Sequence, residues 1–372
     1  MNRFKIKPRA DYIKVVEDLG FNFSANYWNE DSYYRFNDKE VEDIYKITNS
    51  AYELYCNMVQ KVIDDGLWSR FNISKEYVPF IIRSWEEDDL SLYGRFDIVL
   101  DDRDEKFKIL EFNADTPTSL LEASVIQWQW KEDIFPFSDQ MNSIHENLVQ
   151  SWKDIHNIYK YNRYDFGCIM DIDEELTTTS YILSTAQEAG LDTSLVDMRK
   201  IVRNNESFYL PTGEVINCMF KLYPWEDMME EEFGGYLPNT EMIWIEPSWK
   251  LLMSDKESLV LLHEMYPDCD FLLPTYESSK YLKDYCMKPR HGREGQNVRL
   301  IKGEAGILES SEGNYSSDDL VYQELVPIRS FDGRYPVMGS WIIGGEASGI
   351  GIRETSTLIT DNMSNFIPHI IL

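Results

Sequence analysis

Paired cysteines, long apolar runs and positive charge are what this sequence lacks. Its five cysteines (Cys56, Cys168, Cys218, Cys269, Cys286) are odd in number and scattered, with no Cys-x-x-Cys pair. Neither a disulfide framework nor a zinc knuckle is indicated, and a reducing compartment is implied. No stretch approaches a membrane span, and residues 1–12 mix Arg, Lys and Asp without an apolar core. A soluble, cytoplasmic protein with no membrane partner is expected. Basic residues number 36 against 65 acidic ones, a formal net charge of −29, which opposes any phosphate backbone and leaves no electrostatic footprint for nucleic acid. The same field favours a cationic substrate such as a polyamine, although acidic composition also serves solubility. The histidines (His145, His156, His263, His291, His369) form no His-Glu-x-x-His, and no Gly-x-Ser-x-Gly elbow is present, so a hydrolase is disfavoured.

Aromatic residues are abundant by contrast: 23 Tyr, 18 Phe and 10 Trp in 372 residues, enough for two or three packed lobes. Helical spacing of Val41, Ile44, Tyr45, Leu54, Met58 and Val62 predicts a long helix over 38–65 capped by Gly66. Alternation over 94–101, a turn at 102–105 and a second run over 106–113 predict a β-hairpin. Thr116 and Pro117 read as N-cap and first position of a helix over 119–131, followed by another over 138–159. A strand over 166–171, a helix over 177–190 and a strand over 194–197 read as a parallel βα unit, in a smaller lobe ending near Trp249. Then come a helix over 255–266 and short strands broken by glycines.

Within the hairpin, Arg95 and Asp97 share one strand face and Glu111 and Asn113 the facing one. Two carboxylates and an amide oxygen suit magnesium, which takes few protein ligands; an ordinary polar hairpin face is the alternative. Residues 281–302 form a basic island, with Lys283, Lys288, Arg290, Arg293, Arg299 and Lys302 against Asp284 and Glu294. Inside it, His291 to Asn297 is a two-glycine loop whose bare backbone could wrap a polyphosphate while Lys288 and Arg293 neutralise it; a basic surface loop is the plainer reading. It is neither a Walker A loop nor a dinucleotide fingerprint. Residues 320–325 read as a strand entering a bend at Pro327, the kind of hinge that pairs with an adenine edge. A second hairpin, over 337–343 and 346–352 around Gly344-Gly345, presents Arg353. That arginine could steady charge on a phosphoryl group in flight or salt-bridge to Glu354.

At these residues the chain resembles the glutathionylspermidine synthase family. The resemblance rests on Leu92-Tyr93-Gly94-Arg95-Phe96-Asp97, Leu110-Glu111-Phe112-Asn113-Ala114-Asp115-Thr116-Pro117-Thr118-Ser119-Leu120-Leu121-Glu122-Ala123 and Asp173-Glu174-Glu175. Further support comes from Lys221-Leu222-Tyr223-Pro224-Trp225-Glu226, Glu246-Pro247-Ser248-Trp249-Lys250, the loop from Lys288 to Asn297, and Gly339-Ser340-Trp341 through Arg353. It implies an α/β (α+β) ATP-grasp fold with permuted motif order and a small pre-ATP-grasp-like parallel lobe. The corresponding division is 1–160 (first part of the ATP-grasp region, with the magnesium hairpin), 161–245 (the α/β lobe) and 246–372 (the nucleotide-binding region).

The resemblance further implies that Asp97, Glu111 and Asn113 hold Mg2+, that Arg95 faces ATP and the acyl substrate, and that Lys256 and Lys288 contact ATP phosphates. By the same resemblance Arg293 and Gly295 close over the nucleotide, Gln323, Glu324 and Leu325 form the adenine hinge, and Leu358, Ile359 and Thr360 line it. Arg353 matches the family's transition-state arginine. Thr116 and Thr118 fall where the family uses serines against the glutathione carboxylate, and Glu174 and Glu175 where acidic residues meet glutathione and polyamine. The implied activity is an ATP- and Mg2+-dependent carboxylate–amine ligase working through an acyl phosphate on a glutathione-like peptide and a polyamine-like amine. A different acid and amine pair, or a nucleotide-binding scaffold without turnover, are the alternatives. The family's amidase half is expected to be absent, since no Cys/His peptidase region precedes these motifs. Leu222 stands near a family hydroxyl residue, and an apolar side chain cannot replace its hydrogen bond.

Overall fold

Alternation of buried and cavity-facing residues builds two hairpins, and the tertiary structure sets them in one sheet. A computed structural model describes residues 1–21, 27–204, 207–315, 319–361 and 364–372. The first hairpin pairs Tyr93–Leu100 with Phe107–Asn113; the second pairs Tyr335–Ile343 with Glu346–Thr355. Gly344 (φ +58°) and Gly345 (φ +88°) both sit in the left-handed region that a tight two-residue turn demands, which is why glycine occupies both. Strand Tyr93–Leu100 then pairs antiparallel with Tyr335–Ile343, opposing Asp97 to Gly339 and Arg95 to Trp341. With Asn365–Ile367 at the far edge, the sheet has five antiparallel strands drawn from both ends of the chain.

One face of that sheet is sealed by the helix Asp38–Asp65. It begins with a capping box, Asn37 with Glu40, that the sequence reading did not single out, and ends as its sequence predicts at Gly66 (φ +64°). Its buried stripe includes Ile44, Ala51, Tyr55, Met58 and Val62, and Tyr55 packs edge-on against Phe96 and Phe112, whose rings stack 3.9 Å apart. Because strand side chains alternate, burying Phe96 and Phe112 here turns Arg95, Asp97, Glu111 and Asn113 to the other face. A second antiparallel sheet carries Lys288 and Gln323 on its strands Asp284–Pro289 and Leu320–Glu324. A third, fully parallel sheet runs in the order Ile243–Ile245, Cys218–Lys221, Tyr164–Cys168, Thr193–Asp197. Helix Asp173–Glu188 follows Tyr164–Cys168 and opens with Glu174 and Glu175 in its first turn.

Two buried ion pairs tie the parallel sheet to the first hairpin. Asp115, just past Asn113, accepts from Lys221 Nζ (2.6 Å) and Trp225 N (3.0 Å). Glu246 accepts from Ser91, from Leu92 N and Tyr93 N at the start of the hairpin, and from Lys250 Nζ at 2.7 Å. Lys250→Met should therefore strand a buried carboxylate and cost roughly 3–5 kcal/mol. Urea unfolding of the two proteins at neutral pH measures it, and a loss under about 1 kcal/mol would show that Glu246 needs no counter-charge.

Several expected boundaries move. Thr116 and Pro117 do not start a helix: residues 116–119 form an irregular segment, and the helical path begins at Leu120, passes a π-turn over Glu122–Ile126 and continues as Gln127–Ile134. Tyr93 Oη donates to Pro117 O (3.1 Å) and Arg95 Nη1 to Thr118 O (2.8 Å), bonds that hold those carbonyls away from a helical path, and Ser119 reverses at φ +69°. The helix expected over 138–159 is Ile144–Tyr159, because Asp139 and Asn142 bridge to Ile371 and Gly349 instead. The helix expected over 255–266 is Glu257–Met265, with Asp255 outside it receiving Arg290 Nε at 2.8 Å. The strand expected over 166–171 is Tyr164–Cys168.

Candidate active site

The cavity-facing side of the first hairpin supplies acidic groups in direct register, Asp97 opposite Glu111 and Arg95 opposite Asn113. Arg95 is buried, donates through Nε to Asp97 Oδ1 (2.8 Å) and reaches Thr118 O, fastening the strand to the 116–118 segment. Glycine at 339 leaves the room this requires, since a Cβ there would lie 2.6 Å from Arg95 Cδ. From the last third of the chain, Lys256 Nζ comes within 3.4 Å and Lys288 Nζ within 3.9 Å of Glu111 Oε2. Burial works to raise the Glu111 carboxyl, but Lys256, Lys288 and Arg95 outweigh it and hold it well below the usual carboxylate range. Lys288 is aimed by Gln323 Oε1 (2.8 Å) and Leu110 O (3.1 Å), and Lys256 by Gly292 O (2.6 Å).

Arg353 approaches Asp97 Oδ2 at 3.9 Å from the second hairpin. The alternative pairing with Glu354 does not form. Strand alternation sends Glu354 to the opposite face, where it accepts from Arg3 and from Tyr34 Oη.

Arg95, Asp97, Glu111, Asn113, Lys256, Lys288 and Arg353 line one cavity of about 560 Å3, and so do Thr116, Thr118, Glu174, Glu175, Arg293, Gly295, Gln323, Glu324, Leu325, Leu358, Ile359 and Thr360. Leu110, Cys286, Val298, Leu300, Val326 and Val337 give that cavity an apolar slot beside the 323–325 strand end. The N–H groups of Glu324 and Leu325 are already bonded to Pro274 O (2.8 Å) and Asp284 O (3.1 Å), so a ligand edge here would meet other groups than those two donors. Ile169, Leu222 and Asp227 line the same cavity together with Thr116, Thr118, Glu174 and Glu175.

Of the basic island, Lys288 and Arg293 face the cavity while Arg290 is held by Asp255. Arg293 is ion-paired to Glu226, which fastens the glycine loop to the parallel lobe. Gly295 adopts φ +66° and packs against the Thr360 backbone. Sequence reading assigns no role to Glu226, nor to Glu309, which accepts from Leu358 N (2.9 Å) and Ile359 N (3.0 Å) and so shapes the segment over the apolar slot. An isolated acidic residue on an exposed strand carries no local signal of that kind.

Magnesium fits the donor set. Among the described residues no group of three or more His, Cys, Asp or Glu comes together, so Asp97 and Glu111, with the Asn113 amide as third donor, would have to share a cation with phosphate oxygens and water, the habit of magnesium. The Asn113 Nδ2 atom is buried without a hydrogen-bond partner, which leaves that amide uncommitted beside the two carboxylates.

Residues 3–372 match the protein family described as Glutathionylspermidine synthase preATP-grasp. The chain belongs to the glutathionylspermidine synthase family. A Haemophilus influenzae relative, provisionally named an acid–amine ligase, is 33% identical over 97% of both chains. Crithidia fasciculata trypanothione synthetase is 27% identical over 94% of this chain, and the Escherichia coli bifunctional glutathionylspermidine synthetase/amidase 25% over 91%. The chain spans 58% and 59% of the length of those two. A solved glutathione synthetase-like effector from Globodera pallida superposes with TM-score 0.59 over 91% of this chain and 88% of its own, at 10% identity, a likeness of fold alone. The ATP-grasp architecture expected from the sequence is thus the one this family member has, with the acidic hairpin preceding the lysine strand in the chain. No helix among the described residues is long and apolar enough to cross a membrane.

A buried acid outside the assigned set makes a pH prediction. Burial, with the Glu174 charge adding to it, pushes Glu122 on the π-turn to about 7. Between about pH 4.3, the unfolded value, and about 7 the folded protein keeps a proton that the unfolded chain has released, so stability falls as pH rises through that window. Glu122→Gln should gain about 1–3 kcal/mol at pH 8 and nearly nothing at pH 4.5. Denaturant melts at both pH values measure it; equal gains at the two would contradict the assignment.

Proposed function

We propose that this chain is an ATP- and magnesium-dependent ligase that joins a carboxylic acid to an amine through an acyl phosphate. The observation that carries it is the meeting, around Glu111, of a carboxylate hairpin from the first half of the chain with Lys256 and Lys288 from the last third, at 3.4 and 3.9 Å. Such a mixed cluster is what a metal-bound triphosphate needs on two sides. Asp97, Glu111 and Asn113 would hold magnesium, whose contribution is charge neutralisation of the phosphates. Lys256, Lys288 and Arg293 would bind phosphate oxygens, and the slot shaped by Leu358, Ile359, Thr360 and the 323–325 strand end would take adenine.

A carboxylate oxygen of the acid then attacks the γ-phosphorus as the β–γ bridging bond breaks and ADP leaves. Arg353 and Arg95 sit where charge on that group develops. The amine nitrogen next attacks the acyl carbon, the bond to phosphate breaks, and the amine proton departs. Glu174 and Glu175 would receive the amine as a cation; burial first, then the Glu174 charge, raises the Glu175 carboxyl, as befits a site waiting for positive charge. The relatives' names carry glutathione and spermidine, so a glutathione-like peptide with a polyamine is the first pair to assay, in a cytoplasmic setting.

The test is ADP release that requires magnesium, an acid and an amine together. ATP with magnesium raising the melting temperature, but no turnover with any pair, would instead mark a nucleotide-binding scaffold. Within the ligase reading, Glu309→Ala should raise the KM for ATP about three- to tenfold and leave kcat within about twofold, because the residue shapes the base slot and not the reacting end. An unchanged KM would remove Glu309 from the nucleotide site.

A further inference from the structure

A second and much smaller cavity shares Asn113, Lys256 and Arg293 with the large one. It measures about 20 Å3, room for one water molecule, and its other lining residues include Asp115, Glu226 and Ser254. Three of these residues each bring a buried polar atom without a hydrogen-bond partner: Asn113 Nδ2, Glu226 Oε2 and Ser254 Oγ. Neighbouring charges are partnered. Glu226 Oε1 accepts from Arg293 Nη2, Asp115 accepts from Lys221 Nζ and Trp225 N, and Lys256 Nζ donates to Gly292 O. One amide donor, one carboxylate acceptor and one hydroxyl are what a single water satisfies. It accepts from the amide, donates to the carboxylate and meets the hydroxyl in either role. A cation in that place would face Lys256 and Arg293, and an anion Asp115 and Glu226.

We infer that Glu226 and Ser254 are positioning residues for Asn113: through one bound water they hold its Nδ2 inward, so that Oδ1 is the atom presented to magnesium. The inference rests on the magnesium site of the ligase reading above. The two ends of an amide are alike in shape, and only the oxygen ligates magnesium, so a turned-over Asn113 would set an NH2 group against the cation. Partners behind a ligand that fix its orientation typically change metal affinity about 10- to 100-fold when they are removed. Arg293 meets Glu226 through Nη2, and the rest of its planar fork serves the phosphate role given to it above. Glu226 thereby joins the glycine loop to the metal hairpin.

Magnesium binding without turnover is the readout: the melting temperature is followed across a magnesium titration at saturating non-hydrolysable ATP analogue. Ser254→Val, whose methyls replace the hydroxyl and fill the cavity, expels the water and should raise the half-point magnesium concentration about tenfold. Ser254→Ala keeps the water but removes one partner, and should raise it about two- to threefold. Ser254→Gly gives a second water room where the hydroxyl stood, and should bring the half-point to within about twofold of the parent. If Ser254 only packed, glycine would be the worst of the three. The alanine variant keeps the test readable if Ser254→Val does not fold. A crystal structure should show one water within about 3.2 Å of all three atoms. No water at that place, or glycine as the worst variant, overturns the inference and leaves the ligase reading standing. So does a half-point that Ser254→Val leaves within about twofold of the parent, or, where that variant does not fold, one that Ser254→Ala leaves unchanged. A parent protein that magnesium does not stabilise in the presence of the analogue overturns the metal site, and this inference with it.

Discussion

Glu111→Gln is expected to reduce magnesium-dependent ADP release at least about 100-fold at saturating ATP, and to raise the magnesium concentration needed for half-maximal rate. The side chain keeps its shape, loses its charge and exchanges one acceptor oxygen for an NH2 donor. Yet that charge faces Lys256 and Lys288 on one side and stands in register with Asp97 on the other. Removing it leaves two lysines without their carboxylate and would leave a divalent cation with one carboxylate, Asp97, in place of the two proposed for it. Folding should be largely preserved, because Glu111 belongs to the cavity face and not to the Phe96–Phe112 stack that seals the sheet. Steady-state kinetics across a magnesium titration, with a melting curve alongside, measures both effects. A rate within about threefold of the parent protein would sink the assignment of Glu111 to the metal.

Arg353→Ala should cost about 10^2- to 10^3-fold in kcat with a much smaller change in the KM for ATP, the pattern of a group whose interaction strengthens as charge develops in the transition state. Arg353→Lys restores the charge without the planar fork and should recover only part of the rate. The neighbouring residue is the control. Glu354 lies on the far side of the strand, bonded to Arg3 and Tyr34, so Glu354→Gln should lower the melting temperature and leave kcat within about twofold. If Arg353→Ala instead raised the KM for ATP and spared kcat, the arginine would be a ground-state phosphate contact.

Residues 353 and 354 part company because the strand expected to end at 352 runs on to Thr355. Period-two alternation assigns adjacent strand residues to opposite faces, and the two hairpins, the long capped helix and the parallel βα unit all follow from such local periods and from glycine placement. The helix boundary at Thr116 misleads because a local signal is overruled from afar. A capping sequence is present, but Tyr93 and Arg95, on the neighbouring hairpin, claim the carbonyls of Pro117 and Thr118, and tertiary hydrogen bonds override a cap preference worth about 1 kcal/mol.

By itself the sequence determined the family, the strand faces that carry Asp97 and Glu111, and the identity of the basic loop, since each resides in contiguous residues whose spacing is fixed by the covalent chain; the face of Arg353 was settled only by the strand running on to Thr355. Only the tertiary structure decided that the two hairpins share a sheet, that Lys256 and Lys288 converge on Glu111, that Glu226 and Glu309 hold the loop and the segment over the apolar slot, and that Arg293 is held in an ion pair. These are distances between segments separated by much of the chain. They are set by which apolar faces pack together and which buried charges must find partners, a condition on the whole fold that no local run of residues contains.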